Sequence, residues 1–373
     1  MIRLSESRLS DKELAFIQIA FEKGEVSFYG DNIQGFESDI ENLIGRESYV
    51  ACTNSGTSAI HLALILCGVQ SGDEVICQSF TFFATAAPIL YQGATPIFID
   101  SEEDTWNMSP IHLEKAIKER ISRGKKPKAI IAVHLYGMPA KIDEIVKITK
   151  SYEIPLIEDA AEAFGSKFKG EYCGGFGDYG ILSFNGNKII TTSGGGALIC
   201  RTQKGRERAV FYASQSRDVS SHYQHSVVGY NYRMSNILAG IGRGQIQSLA
   251  NNVLARRENH RFYRDIFQSS KVRVLKEPSN HYFSNHWLTC IIVEPEKTGF
   301  SRDDIRIALQ EENIESRILW KPMHLQPIFS ESSYFGEEVA ENLFNLGLCL
   351  PSSSILSVSD KQKILSVLMR FFE

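Results

Sequence analysis

From Tyr49 the chain repeats one pattern: a short apolar run, a turn, then a segment of helix length. The apolar runs are Tyr49–Cys52, Glu74–Cys77, Pro96–Asp100, Lys128–Val133 and Pro155–Glu158. The segments between them are Ser58–Leu66, Phe83–Tyr91, Ile111–Glu119 and Ile142–Ser151. Strands that alternate with helices predict βαβ crossovers, and hence a mainly parallel sheet covered on both faces. Before this rhythm begins, the spacing of Leu14, Ile17 and Phe21 predicts a helix over 11–23 that closes at Gly24. A second follows on Phe36, Ile40, Leu43 and Ile44, after an irregular aromatic and polar loop at 26–32. Beyond Met234 the rhythm stops. Residues 237–267 read as helical, Val272–Leu275 and His286–Val293 as strands, and Asp303–Glu311 and Asp360–Phe372 as helices, which suits a smaller α+β unit. The pattern therefore predicts a large α/β domain over 1–245 and a small C-terminal domain over 246–373, with substrate in the cleft between them.

Ligands of such sheets bind beyond the carboxyl ends of the strands, so the residues after each strand carry the candidate chemistry. After the first strand, Thr53-Asn54-Ser55-Gly56-Thr57-Ser58 opens a helix. Hydroxyls, backbone N–H groups and the positive end of the helix dipole can together hold a phosphate there, although the same residue types also serve as ordinary helix caps. After the second strand, Phe80, Phe82 and Phe83 lie among small residues, where an aromatic can stack on a flat heterocycle. Asp159 ends the fifth strand, and a buried carboxylate there needs a cation, such as a pyridinium nitrogen or an arginine. The run Gly180 to Cys200 reads as strand, polar loop, glycine run and strand, with Lys188 in the loop. Small residues let backbone approach a ligand. A partly desolvated lysine becomes a nucleophile able to link to an aldehyde cofactor, which points to pyridoxal phosphate.

Composition narrows the field. The chain has 373 residues, 43% hydrophobic and 23% charged, with net charge −4. It lacks the concentrated basic face that nucleic acid or an anionic membrane would require. Seven scattered cysteines, without a C-x-x-C pair, suit free thiols in a reducing compartment. No apolar run approaches the ~18 residues of a membrane span, and the first residues lack the apolar core of a signal peptide, so a cytoplasmic protein is expected. The nine histidines show no metal-ligand spacing such as H-E-x-x-H, and no metal is expected. Neither a phosphate-binding P-loop nor a dinucleotide fingerprint is present.

Eight motifs in order give the chain a resemblance to the sugar aminotransferases of the DegT/DnrJ/EryC1/StrS family. They are Thr-Asn-Ser-Gly-Thr-Ser (53–58), Phe-Thr-Phe-Phe-Ala-Thr (80–85), Gly-Ala-Thr-Pro-Ile-Phe-Ile-Asp (93–100), Val-His-Leu-Tyr-Gly (133–137), Glu-Asp-Ala-Ala-Glu-Ala (158–163), Ser-Phe-Asn-Gly-Asn-Lys (183–188), Gly-Tyr-Asn-Tyr-Arg-Met-Ser (229–235) and Trp-Lys-Pro-Met-His-Leu-Gln-Pro (320–327). The resemblance implies the type I, aspartate-aminotransferase-like fold of pyridoxal-phosphate enzymes. It implies Lys188 as the Schiff-base lysine, Asp159 as partner of the pyridine nitrogen, Phe82 stacked on the ring and Glu162 beside the phenolic oxygen. Gly56, Thr57 and Ser183 would bind the phosphate. Asn231 would complete that site from the neighbouring subunit of a homodimer with shared active sites. Arg317, Trp320 and His324 would lie near a sugar nucleotide. The lysine-loop and Trp320–His324 segments look most like enzymes that aminate C4 of UDP-4-keto-6-deoxy-N-acetylglucosamine on the bacillosamine route, with glutamate as donor and pyridoxamine phosphate as the intermediate cofactor form.

Two departures bear on function. Many relatives carry glutamine where Glu162 stands, and the segment Leu4 to Leu14 lacks the Pro/Gly-containing stretch usual there. The competing readings are a GDP-linked keto-sugar aminotransferase of the perosamine type and a non-catalytic, cofactor-binding regulatory paralogue.

Overall fold

The computed structural model describes residues 1–372. Its strands are β1 (Tyr49–Thr53), β2 (Glu74–Gln78), β3 (Thr95–Ile99), β4 (Ala129–Val133), β5 (Leu156–Asp159), β6 (Lys167–Phe168), β7 (Glu171–Tyr172), β8 (Tyr179–Ser183), β9 (Gly196–Cys200), β10 (Arg273–Val274), β11 (Tyr282–Phe283), β12 (Thr289–Ile292), β13 (Arg317–Ile318), β14 (Tyr334–Phe335) and β15 (Gly347–Leu350). Eight of them form the main sheet in the order β1-β9-β8-β5-β4-β2-β3-β14. All neighbouring pairs from β8 to β14 are parallel, whereas β9 runs antiparallel between β1 and β8. This is the type I fold expected of the sequence.

Strands β2, β4 and β9 are buried along their whole length. Helices cover both faces of the sheet, as continuous apolar strands require. Ala59, Leu62 and Ala63 of the helix Gly56–Leu66 pack with Ile131, Ile157 and Leu198 on one side. Phe36 and Ile40 pack with Leu182, Phe184 and Ile199 on the other. A second sheet, β10-β12-β15-β13, shares a hydrophobic core with the helices Leu249–Phe267, Arg302–Glu311 and Val358–Met369. The third sheet, β11-β6-β7, is three-stranded.

Two segments cross the boundary that periodicity places near residue 245. Strand β14 joins the edge of the main sheet beside β3, where the Asp100 carboxylate accepts the N–H groups of Glu337, Val339 and Ala340. At the other end of the chain, Ile2 bridges Ile314, the Leu4 N–H donates to the Glu315 carboxylate and the Leu4 carbonyl accepts the Ser352 N–H. The first residues thus pack against the segments around Ile314 and Ser352 and then run onward to the lysine loop. The helix Asp11–Glu22 turns Glu13 and Ala20 inward and leaves Leu14 and Phe21 exposed. Glu13 is buried because it completes a capping box with Ser10 and accepts from the Gln245 amide.

Candidate active site

At the carboxyl ends of β1, β5 and β8 lies a cavity of about 300 Å³. Its lining includes Gly56, Thr57, Phe82, Asp159, Glu162, Ser183, Lys188, Trp287 and Trp320. The topology dictates this place. The helix Gly56–Leu66 begins immediately after β1 and presents its N-terminal N–H groups to the cavity, with Ser55 as cap accepting the Ser58 N–H at 3.0 Å. A Cβ on Gly56 would stand 3.0 Å from the Ser183 Cβ, so the close approach of helix and β8 suits glycine. Gly196, the last of the glycine run and the first residue of β9, is packed more tightly. A Cβ there would run into the backbone N of Gly56. Gly196→Ala should push the helix N-terminus out of place and lower retention of pyridoxal phosphate by about tenfold or more, one to two anion-binding hydrogen bonds being displaced. Equilibrium dialysis of the variant against the wild type checks this.

Lys188 sits in the loop between β8 and β9, and three groups from far along the chain hold its neighbours. The Ser5 hydroxyl and the Trp287 indole N–H both donate to the carbonyl of Asn187 at 2.7 Å, and the Ser7 hydroxyl donates to that of Gly186 at 2.9 Å. Arg256, wholly buried, fixes two of these supports by donating to the Trp287 carbonyl at 2.5 Å and to the Ser5 hydroxyl at 3.0 Å. No sequence signal marks Ser5, Ser7, Trp287 or Arg256, since each contact joins positions at least 31 residues apart. The Lys188 ammonium lies 3.2 Å from Glu162 Oε1 and 4.4 Å from the centre of the Trp287 ring.

Asp159 is buried, accepting from the Thr85 hydroxyl on Oδ2 (2.7 Å) and from the Ala161 N–H on Oδ1 (3.1 Å). Burial raises its pKa, while those donors and the more distant charge of Lys188 lower it. Burial likewise pushes the Glu162 carboxyl upward, against Lys188 and the Tyr136 N–H, which donates to Oε2 at 2.7 Å. Phe82 is half-exposed at the cavity mouth, 5.2 Å from Trp320 between ring centres. Tyr136 holds Trp320 in place, its hydroxyl accepting the Trp320 backbone N–H at 3.0 Å.

A smaller chamber of about 100 Å³ adjoins the main cavity across Phe82, Asn187, Trp287 and Trp320, and is closed by Leu4, Ser5, Leu288, Glu315, Arg317 and Cys349. Arg317 is exposed at its edge and paired with Glu315 at 2.7 Å. His324 lines neither space. It is enclosed by Ser79 (2.6 Å), Glu341 (3.1 Å) and the stacked ring of Tyr334 (3.8 Å between centres). Asn231 is exposed and lines a separate surface cavity with Phe28, Tyr223 and Arg233.

One cluster could be mistaken for a metal site: His134, Glu158 and Cys173 are buried together. Their hydrogen bonds account for the grouping. Glu158 accepts from His134 Nε2 and from the N–H groups of Gly174, Phe176 and Gly177, and His134 Nδ1 accepts the Ala140 N–H.

The residues present fit pyridoxal phosphate. A helix N-terminus and hydroxyls face the cavity for an anion, a buried carboxylate awaits a cation, and a lysine stands between them. Such a site on a type I fold defines a pyridoxal-phosphate-dependent enzyme. The chain belongs to the DegT/DnrJ/EryC1/StrS aminotransferase family, whose model matches residues 8–369. It is 46% identical to EpsN of Bacillus subtilis, whose name describes a pyridoxal phosphate-dependent aminotransferase, over 100% of this chain and 96% of that one. It is 38% identical to the GDP-perosamine synthase of Escherichia coli O157:H7, over 95% and 94% of the two chains. Among solved structures, a DegT DnrJ EryC1 StrS aminotransferase from Brucella abortus superposes with a TM-score of 0.90 at 30% identity, covering 97% of this chain and 95% of that one.

Proposed function

We propose that this enzyme moves an amino group from an amino acid, L-glutamate, to the C4 keto group of a UDP-linked 4-keto-6-deoxy-N-acetylhexosamine. The product would be a UDP-4-amino sugar for surface or glycoprotein glycans, made in the cytoplasm. Bound pyridoxal phosphate supplies an aldehyde for covalent linkage and an electron-withdrawing ring. In this reading Lys188 Nζ forms the linkage and, once released, carries a proton to and from the substrate carbon. Asp159 stays ionised opposite the ring nitrogen and Phe82 covers a ring face. The N–H groups at Gly56 and Thr57, with the Ser183 hydroxyl, hold the phosphate.

The observation that carries the choice of acceptor is the side chamber behind Trp320. It is lined by Leu4, Leu288 and Trp287 together with the polar Ser5 and Asn187, and its volume of about 100 Å³ leaves room for a substituent the size of an acetamido group. Arg317 at its edge and Trp320 in its wall fit a sugar nucleotide, whereas His324 would act only by supporting the segment that carries Trp320. Exposed apolar residues of the first helix and following loop, Leu14, Phe21, Phe28 and Tyr29, support a homodimer. In that assembly the exposed Asn231 would reach the partner's phosphate site.

The 38% identity to a GDP-perosamine synthase favours a second reading, a GDP-linked acceptor. A non-catalytic paralogue is disfavoured by Lys188, Asp159 and the phosphate cradle all facing one cavity. A panel of keto-sugar nucleotides, with glutamate as donor and products weighed by mass spectrometry, decides between them. The UDP-N-acetyl sugar should exceed GDP-4-keto-6-deoxymannose by about tenfold or more in kcat/KM, as filling one pocket allows. The reverse order would assign the enzyme to the second reading.

A further inference from the structure

Two buried carboxylates share the cavity with one lysine, and their surroundings differ. Asp159 has a donor on each oxygen, Thr85 and Ala161, and neither depends on Lys188. Glu162 has the Tyr136 N–H on Oε2, while among the described residues its Oε1 is served by Lys188 alone. The other titratable groups near Glu162 are Asp159, a like charge, and the Tyr136 phenol and Cys290 thiol, both kept protonated by burial. When the Lys188 nitrogen enters a covalent linkage, Oε1 loses its donor. An ionised Glu162 would then sit buried beside a second anion with a single hydrogen bond, which a low-dielectric site disfavours. Paired carboxylates with unequal surroundings divide into one that keeps its charge and one that holds a proton.

We infer that Glu162 takes a proton from Lys188 each time the lysine nitrogen becomes covalently engaged, and so serves the reaction as a neutral acid. The balance closes without another reactant. The Lys188 ammonium carries three hydrogens; two leave with the aldehyde oxygen as water, and the third passes to Glu162 Oε1 across the 3.2 Å contact. The ammonium–carboxylate pair becomes a carbon–nitrogen double bond and a carboxylic acid, with no net change of charge. When a substrate amine later displaces Lys188, the released amine recovers that proton from Glu162 Oε1 and the ammonium–carboxylate pair re-forms. Glu162 thereby stores the lysine proton while the nitrogen is engaged, so that none need be exchanged with solvent. The inference rests on Lys188 being the linking lysine.

Infrared difference spectroscopy, cofactor-loaded minus apo protein, tests it. The wild type should gain one protonated-carboxyl stretch on loading, shifted by isotope-labelled glutamate and missing from Glu162→Gln. In the same samples, the pKa read from the visible band of the lysine-bound cofactor should move by less than about half a unit in Glu162→Gln, because a neutral amide replaces a neutral acid. An ionised Glu162 would instead make that substitution lower the pKa by about a unit or more, a tenfold change. That fall, or a loaded wild type with no glutamate carboxyl stretch, overturns the inference, and the infrared readout needs no variant to fold. A Lys188→Ala control that kept the visible band would instead overturn the lysine assignment, so the two failures are distinguishable.

Discussion

Lys188→Ala is expected to lose the visible band of the lysine-bound cofactor and to lower transamination by about 10⁴-fold or more, since covalent linkage and proton transfer both depend on Nζ. The fold should survive. The loop around position 188 is held through its backbone, by Ser5, Ser7 and Trp287 on the carbonyls of Gly186 and Asn187 and by pairing of Phe184 with Gly195 and Thr192. None of these bonds uses the lysine side chain. Removing it leaves Glu162 without a cation, and that carboxyl can become neutral, so the cost of a buried unpaired charge is avoided. Circular dichroism and the spectrum of reconstituted protein check both halves. A variant that turned over at the wild-type rate would put the chemistry elsewhere.

Asp159→Asn should fold normally and turn over about 10²- to 10³-fold more slowly, the usual scale for losing one electrostatic contact to developing charge. The structure indicates why folding is spared. The amide oxygen can keep the Ala161 N–H, and the amide nitrogen would face the Thr85 hydroxyl. That hydroxyl can turn to accept, giving its own hydrogen to Thr81 Oγ1 at 2.9 Å. What the amide cannot do is present a negative charge to the cofactor's ring nitrogen. Steady-state kcat with unchanged thermal stability is the signature. A variant as fast as the wild type would reduce Asp159 to a helper of Thr85.

Much of this architecture could be read from the chain before any coordinates, because the strands of the large domain are separated by helices of regular length, and that spacing survives in the sequence. Lys188 and Asp159 could be found the same way, each lying just beyond an apolar run where parallel sheets bind ligands. The sheet order could not. Runs buried on both faces carry no period that distinguishes a parallel neighbour from the antiparallel β9. Two-residue strands such as β13 and β14 leave no pattern at all, and β14 is held beside β3 by backbone pairing and by Asp100, which gathers the turn after it.

The supports of the site were equally hidden. Ser5 and Arg256 are 251 positions apart, and a lone serine and a helical arginine look like surface residues until the fold buries them. His324, marked by its motif, proves to be enclosed by Ser79, Glu341 and Tyr334, outside the cavity its neighbour Trp320 lines. Motif position records proximity in the chain, and a 3-10 turn at Met323–Leu325 is enough to send adjacent side chains different ways.

The most direct test of the account is the absorbance spectrum of the reconstituted enzyme as glutamate and then UDP-4-keto-6-deoxy-N-acetylglucosamine are added. The visible band should disappear with glutamate and return with the sugar, which requires Lys188 to be released and re-engaged and the amine to pass to this acceptor. A band that glutamate leaves untouched, with no amino sugar formed from any keto-sugar nucleotide, would contradict the account at its centre.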